Sequence, residues 1–529
     1  MNVVKIDAER VRGPFRRGIL GQFVEHYGTV VYGGMVDPLT AEPVPAALEA
    51  FRELAMPYLR WPGGNFASGY HWRDGVGPTA DRPARFELEW QVEESNRFGT
   101  NEYLAWCRAA GTTPYICANA GSGSAEEAAA WVEYCNYDGA TSHAALRTAH
   151  GHPRPHAVPL WGIGNEVYGR GQIGRQDIDG YIHTVREFSR LMKKVDPTIK
   201  LVAVGWERAE WNFRLVKEAG EFFDYLALHS YHPVPASFRE AMALPLVTRE
   251  QIQEMAGAIT SASWYVKDRR GTPIGIAMDE WNMQEWDHDR FIEWQSIAYG
   301  FTPANAELAA KRSPLVSEGP PLDPARMRAF IRERRARDDD DAAVTLTDAL
   351  YAGCILHEMM RTNGIEVGGF SPLVNGKGIV GCLNGKVVRR PTWHVFHLLG
   401  GIRAGVVLDA LVLSDGYTLF LRADGQNFRR TVEVPWLDVA CVLDAAARRL
   451  YVSVVNRKAA GEERCEIRFE GCVPRRVRRA TLGAETPDST NTPRDPERVK
   501  VRWTENEMTG SRSEEVFPPH SYTLLACEL

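Results

Sequence analysis

Eight times between residues 19 and 374, an apolar strand-like run alternates with a helical pattern. That alternation restricts the chain to a parallel sheet covered by helices. The strand-like runs are 19–26, 58–62, 114–119, 160–165, 201–205, 225–231, 274–280 and 366–374. Helical patterns fall at 46–54, 101–110, 125–135, 177–195, 212–219, 248–268 and 346–362. Asp177 reads as an N-cap, and so does Thr248, with Gln251 three residues later completing a capping box. Eight β-then-α units predict a closed (β/α)8 TIM barrel rather than an open sheet.

Beyond about residue 402 the pattern changes to short alternating strands, such as 418–421, 431–434, 450–455 and 521–525. These predict an antiparallel, jelly-roll-like β-sandwich after the barrel. Residues 1–15 read as a further strand, placed to pair with that sandwich and tie the chain ends together. The expected organisation is therefore 1–15 with the sandwich, 16–401 as the barrel, and 402–529 as the sandwich proper. The polar, proline-rich stretch 486–496 is expected to be a mobile loop. A connection of about 60 residues, 283–343, follows the seventh strand. Connections of that length are usually functional or disordered. Its first part holds Trp286, Trp294, Tyr299 and Phe301 and is expected to wall the leaving-group side of a cleft. Its later block, 332–341, is mostly basic and then has four consecutive Asp, which reads as solvated surface.

Composition narrows the partners. The net charge of −6, from 62 basic and 68 acidic residues, is too small and of the wrong sign for a nucleic-acid binder. It suits a neutral ligand such as a sugar, and 15 Trp and 18 Tyr supply rings for stacking. The nine cysteines include no C-x-x-C pair, so neither a zinc site nor a redox motif is signalled. Cys107, Cys117, Cys135 and Cys354 lie in apolar patterns and read as reduced core residues. No signal peptide and no 18-residue apolar run is visible, so a cytoplasmic enzyme without a membrane span is expected.

Two strand ends carry the chemistry. Leu160-Trp-Gly-Ile-Gly-Asn-Glu166 and Ile274-Gly-Ile-Ala-Met-Asp-Glu-Trp-Asn282 each run into a glutamate at a predicted strand tip. The C-terminal tips of barrel strands are where catalytic groups sit. A buried carboxylate is costly unless paired or used. One such glutamate could be a salt-bridged strand end. Two on different strands suggest glycoside hydrolysis, in which one carboxyl donates a proton and the other acts as nucleophile or base. No metal or cofactor is needed for that reaction, and none is predicted.

The second strand continues as Leu59-Arg-Trp-Pro-Gly-Gly-Asn65, whose glycine pair permits tight backbone geometry and leaves Asn65 at the tip. This segment, the Gly-Asn-Glu at 164–166, the Asp-Glu-Trp-Asn at 279–282 and the opening Gly21-Gln-Phe-Val-Glu-His26 together resemble glycoside hydrolase family 51. Most members of that family are α-L-arabinofuranosidases. The resemblance runs through the barrel to the closing Phe517-Pro-Pro-His-Ser-Tyr522. It implies a barrel followed by a β-sandwich and a mechanism that retains anomeric configuration. It also implies Glu166 as general acid/base and Glu280 as nucleophile. Arg60 matches an arginine beside the nucleophile, where a fixed cation favours the ionised carboxylate. Tyr231 matches a tyrosine that hydrogen-bonds the nucleophile, and His229 ends the same strand. Glu25, Asn65 and Asn165 match positions that bind arabinose hydroxyls. Trp72 and Trp281 are candidate stacking surfaces, with core packing as the alternative.

One departure is visible. Many arabinofuranosidases of the family carry a sugar-contacting glutamine on the eighth strand, where this chain has Pro372. Asn375 or Lys377 are the candidates to replace it. The leading reading is an exo-acting, retaining α-L-arabinofuranosidase on arabinoxylan- or arabinan-derived oligosaccharides. An endo-β-1,4-glucanase, a β-xylosidase and a transglycosylase are the alternatives, and a non-catalytic sugar-binding protein is disfavoured by the paired glutamates. The resemblance further implies a homo-oligomer, often a hexamer in this family.

Overall fold

The computed structural model describes residues 2–90, 92–266, 273–284, 344–383, 386–423, 428–508 and 510–529. Eight parallel strands close into a barrel: Gln22–Phe23, Tyr58–Trp61, Thr113–Ala118, Leu160–Ile163, Lys200–Ala203, Tyr225–Pro233, Gly275–Gln284 and Ile365–Phe370. They are numbered first to eighth below, in chain order. Inside the barrel, Tyr115, Leu160, Val202, Ala227, Ala277 and Val367 form one packed layer, a side chain from each of the third to eighth strands. This layer plugs the N-terminal half, so polar groups collect at the opposite, C-terminal end.

The helices follow their sequence signals. In Ile178–Val195 the buried residues Tyr181, Val185, Phe188 and Met192 recur at helical spacing, and the Asp177 carboxylate accepts from the Gly180 N–H as an N-cap. Thr248 is not an N-cap. Its helix is Pro245–Ser263, because a proline at the first position, with no N–H to satisfy, starts it three residues earlier. Thr248 and Gln251 are buried instead, and both hydrogen-bond the Ser230 hydroxyl on the sixth strand at 3.0 and 2.8 Å.

After the barrel comes a mostly antiparallel sheet of nine strands whose members share a second core. Val4 and Ile6 from Asn2–Pro14 pack there with Leu408, Val439, Cys441, Val452 and Ile467. The strand Asn2–Pro14 pairs antiparallel with Val406–Leu413 and parallel with Glu463–Glu470. The predicted strands at 418–421 and 431–434 do not join this sheet. They form a separate hairpin, Gly416–Ala423 with Phe428–Pro435, and Tyr417 donates from it to the Arg239 carbonyl at 2.6 Å.

The stretch 486–496 is not free. Its backbone receives the N–H groups of Leu346 and Thr347 at the start of the Leu346–Arg361 helix, each at 2.9 Å. Asn491 is buried and bridges the carbonyls of Arg389 and Val499. Polar composition here serves hydrogen bonding between the two units rather than solvent. Residues 285–343, with Trp286, Trp294, Tyr299, Phe301 and the charged block 332–341, lie outside the described residues.

The Leu346–Arg361 helix is buried nearly all round, between barrel and sheet. Where it meets the sheet, Asp438 accepts from His357 at 3.0 Å, from Arg361 at 2.8 Å and pairs with Arg457 at 3.1 Å. His357 also meets the Ser453 hydroxyl at 2.7 Å. The Ser–His–Asp order resembles a hydrolase triad, but all three side chains are sealed from solvent, so its role is cohesion. Removing Asp438 would leave the buried Arg457 without its counter-charge, while Arg361 keeps Glu358 at 2.8 Å. Asp438→Ala is therefore expected to destabilise the protein by about 3–5 kcal/mol, read from denaturant unfolding. A loss under about 1 kcal/mol would show that water or Glu358 replaces it.

Candidate active site

The fourth, sixth and seventh strands bring three groups together. Glu166 follows the fourth strand, with φ of +39°, a conformation that a non-glycine residue rarely holds. Gly164, two residues earlier, has φ of +79°. This turn aims the Glu166 side chain across the barrel mouth. Its carboxylate meets Nδ1 of His229, on the sixth strand, at 2.8 Å. Glu280, on the seventh strand, pairs directly opposite His229 in the sheet register. One oxygen of Glu166, one of Glu280 and a ring nitrogen of His229 all lie within 4.8 Å of one another.

The seventh strand breaks the usual alternation. Successive side chains of a strand point to opposite faces. Here the pairing register shifts between Ala277 and Glu280, as at a β-bulge. Asp279 and Glu280 consequently both reach Arg60. The Arg60 guanidinium binds Glu280 through Nη1, Asn165 through Nη2 at 2.9 Å, and faces Asp279 from Nε at 3.3 Å. Tyr231 donates to the second Glu280 oxygen at 2.9 Å. Tyr115 donates to Asp279 at 2.7 Å, and His229 Nε2 lies 3.3 Å from the other Asp279 oxygen. Asn165 in turn donates to Asn65 at 3.3 Å.

Glu25 completes the floor. Its carboxylate accepts from the Phe66 N–H at 2.8 Å and from the Trp90 indole at 3.2 Å. The glycine pair explains how it fits. A Cβ on Gly63 would overlap Glu25, and one on Gly64 would lie 3.0 Å from a Glu280 oxygen. Gly63 also holds φ of +155°.

These contacts set the charges. Burial and the nearby Glu280 carboxylate push the Glu25 carboxyl from its ordinary 4.5 to about 8, against the pull of its two donors. Burial pushes Glu166 up too, but the hydrogen bond and charge of His229, with Arg60, outweigh it and hold Glu166 below its ordinary value. Burial disfavours a charged His229, yet Glu280, Asp279 and Glu166 raise it to about 10. Asp279 is held low, because Arg60, His229 and Tyr115 overcome its burial. These opposite shifts both favour the proton on the imidazole over the Glu166 carboxylate.

Glu25 supplies a stability prediction. Its folded value lies above its ordinary one, so its contribution is intact below about pH 4.5 and is lost as pH rises to about 8. Glu25→Gln keeps a carbonyl acceptor for both donors and never ionises. Its melting temperature is expected to match wild type at about pH 4 and exceed it at about pH 9. A difference that does not change with pH would show that Glu25 is not ionising in that window.

Several predicted residues lie elsewhere. Trp72 is buried, stacked on Trp131 with centroids 6.2 Å apart, and donates to the Glu127 carbonyl, so it presents no ring to the cleft. Trp281 is fully buried against Phe370 and Phe396, because it follows Glu280 and points to the opposite face of the strand. Asn375 is also buried. It donates to the Thr29 carbonyl and accepts from the Cys382 N–H, which fixes a turn rather than a ligand. Lys377 pairs with Asp348 at 3.2 Å. Neither polar group takes the place of the family glutamine at Pro372.

Sequence reasoning missed Asp279, Tyr115 and Trp90. Alternation from the inward-facing Ala277 points Asp279 into the barrel but would turn Glu280 out, and the register shift lets both face in. Tyr115 reads as an ordinary apolar strand residue. Trp90 follows the pair Glu87 and Glu89, with no motif to mark it. Among the described residues, Glu166, His229 and Glu280 form the one cluster with metal-ligand spacing. The Arg60 guanidinium, already bound to Glu280, opposes a further cation there.

Paired carboxylates at the strand tips, one held by an arginine and a tyrosine and the other by a histidine, are the machinery of glycosidic bond cleavage. Known proteins agree. Residues 50–244 match the family description "Alpha-L-arabinofuranosidase 1 domain", and residues 279–521 match "Alpha-L-arabinofuranosidase C-terminal domain". Alpha-L-arabinofuranosidase C of Emericella nidulans is 30% identical, over 99% of this chain and 96% of its own. The intracellular exo-alpha-(1->5)-L-arabinofuranosidase 1 of Bacillus subtilis is 29% identical, over 88% of this chain and 86% of its own. The solved GH51 alpha-L-arabinofuranosidase of Thermotoga petrophila superposes with a TM-score of 0.82 at 29% identity, covering both chains completely. With barrel, sheet and strand-tip carboxylates all accounted for, the chain belongs to glycoside hydrolase family 51, among its α-L-arabinofuranosidase-like members.

Proposed function

We propose that the protein is a retaining, exo-acting α-L-arabinofuranosidase that works by double displacement. Glu280 attacks the anomeric carbon, while Glu166 first protonates the leaving oxygen and then activates water. The observation that carries this reading is that one oxygen of Glu166 and one of Glu280 lie within 4.8 Å of each other, too close for the inserted water of an inverting enzyme. Retaining enzymes hold them about 5–5.5 Å apart, whereas inverting enzymes leave about 6.5–9.5 Å for a water. Glu25, Asn65 and Asn165 would bind the hydroxyls of the terminal arabinofuranose, with Trp90 over the same pocket. We further propose short arabinan- or arabinoxylan-derived oligosaccharides as substrates and a cytoplasmic location. The Bacillus subtilis relative, intracellular and acting on α-(1→5) linkages by its name, supports both. Assembly into a homo-oligomer, with a hexamer as the leading expectation, is a separate proposal for light scattering.

The test sets 4-nitrophenyl α-L-arabinofuranoside, β-D-xyloside and β-D-cellobioside side by side, with NMR of the first-formed sugar. The arabinofuranoside should be preferred by at least about 100-fold in kcat/KM, and the α anomer should appear first. Preference for the cellobioside would favour an endo-glucanase. Initial β anomer would exclude double displacement. A dominant glycoside product in the presence of alcohols would favour a transglycosylase.

A further inference from the structure

His229 is doubly held, and its two partners differ in kind. Asp279 is buried between Arg60 and Tyr115, which hold it below its ordinary value, and its other oxygen lies 3.3 Å from Nε2. The short contact is on the other side, where Nδ1 and Glu166 stand 2.8 Å apart, close enough to share a proton. Nδ1 also stands 3.7 Å from the second Glu280 oxygen. The same ring nitrogen thus faces the carboxylate that needs a proton and the carboxylate whose charge changes during the reaction.

We propose that His229, braced by Asp279, carries the catalytic proton in the resting enzyme, yields it to Glu166 as Glu280 loses its charge, and recovers it when that charge returns. This inference rests on the acid/base reading of Glu166. In the first step Glu280 bonds to the anomeric carbon and the bond to the leaving oxygen breaks, its electron pair staying on that oxygen. Glu166 gives that oxygen a proton, and the Nδ1–H proton passes to Glu166. In the second step a water oxygen bonds to the anomeric carbon as the ester bond breaks and its electron pair returns to Glu280. The water's proton goes to Glu166 and on to Nδ1. No proton or electron is left over. Glu280 is also the largest influence raising His229 towards about 10, so neutralising it would make the imidazolium a stronger acid just when an acid is needed. The other charged or titratable groups around the ring are Glu166, Asp279, Arg60, Tyr115 and Tyr231, with Glu25 beyond Glu280.

Two measurements test this on the full chain. In His229→Gln the amide preserves a hydrogen bond but cannot hold the proton, so only a carboxyl remains to do so. The basic limb of kcat/KM should move to lower pH by at least about one unit. A purely structural role would lower the profile without moving that limb, and an unmoved limb overturns the proposal. Independently of that variant's folding, nitrogen NMR of histidine-labelled enzyme at about pH 8 should show both His229 nitrogens protonated in wild type. In Glu280→Gln, which mimics the uncharged nucleophile, Nδ1 should be unprotonated. Identical His229 states in the two proteins would overturn the proposal. Azide rescue of Glu166→Ala, run in parallel, separates the failures. If azide fails to rescue, the acid/base reading falls. If it rescues while the limb and the nitrogen signals stay fixed, only the relay falls.

Discussion

Glu280→Ala lowers kcat on every glycoside by roughly 10⁵-fold or more, the scale of losing a covalent nucleophile. The reason is geometric. Glu280 is the carboxylate held by both the Arg60 guanidinium and the Tyr231 hydroxyl, at the barrel mouth. Without it no glycosyl ester forms, and the loss should be equal for aryl glycosides and oligosaccharides. Folding should survive, since Arg60 keeps Asp279 and Asn165 as partners. Steady-state assays with purified, folded variant decide the matter. Activity above about 1% of wild type, with contamination excluded, would remove Glu280 from the nucleophile's role.

Glu166→Ala should behave differently with different leaving groups. A sugar leaving group needs its proton, so turnover of oligosaccharides should fall by about 10²–10⁴-fold. Nitrophenolate leaves almost unaided, so the first step should persist and the second should stall. A burst of nitrophenolate followed by slow turnover is expected. Azide needs no general base and should speed turnover, giving a glycosyl azide of retained configuration. An inverted azide product would mean that Glu166 and Glu280 have exchanged roles. Absence of both burst and rescue, in a folded protein, would eliminate Glu166 as the acid/base.

Strand-tip glutamates after apolar runs were readable because burial and periodicity act on local sequence. The same logic located all eight barrel strands, since each is an apolar run of limited length between turns. It failed where a residue's direction depends on register. Trp281 looked like a platform beside Glu280, yet one step along a strand reverses the face, and the bulge that turns Glu280 in beside Asp279 leaves no mark in composition. Trp72 failed for another reason: aromatic side chains serve core and ligand alike, and only packing against Trp131 tells them apart. Thr248 had every local sign of a cap, but Pro245 three residues earlier outranked it. The loop at 486–496 looked solvated because its partners, Val344 to Thr347, lie about 140 residues away in sequence.

The opening strand has a consequence for how the chain is made. Val3 aligns with Leu413 on one side and Glu466 on the other. A ribosome therefore releases this segment long before either neighbour exists. Until then its backbone N–H and C=O groups have no sheet to join, and Val4 and Ile6, destined for the second core, remain in water. Contacts of such sequence separation are slow to form, and exposed strands meanwhile invite pairing with other chains. The sheet can be completed only after Ser521–Glu528 emerges, since that strand lies inside it, third from one edge. Synthesis order thus makes the strand Asn2–Pro14 among the last of the sheet to be secured, and chaperone demand should concentrate on it rather than on the barrel.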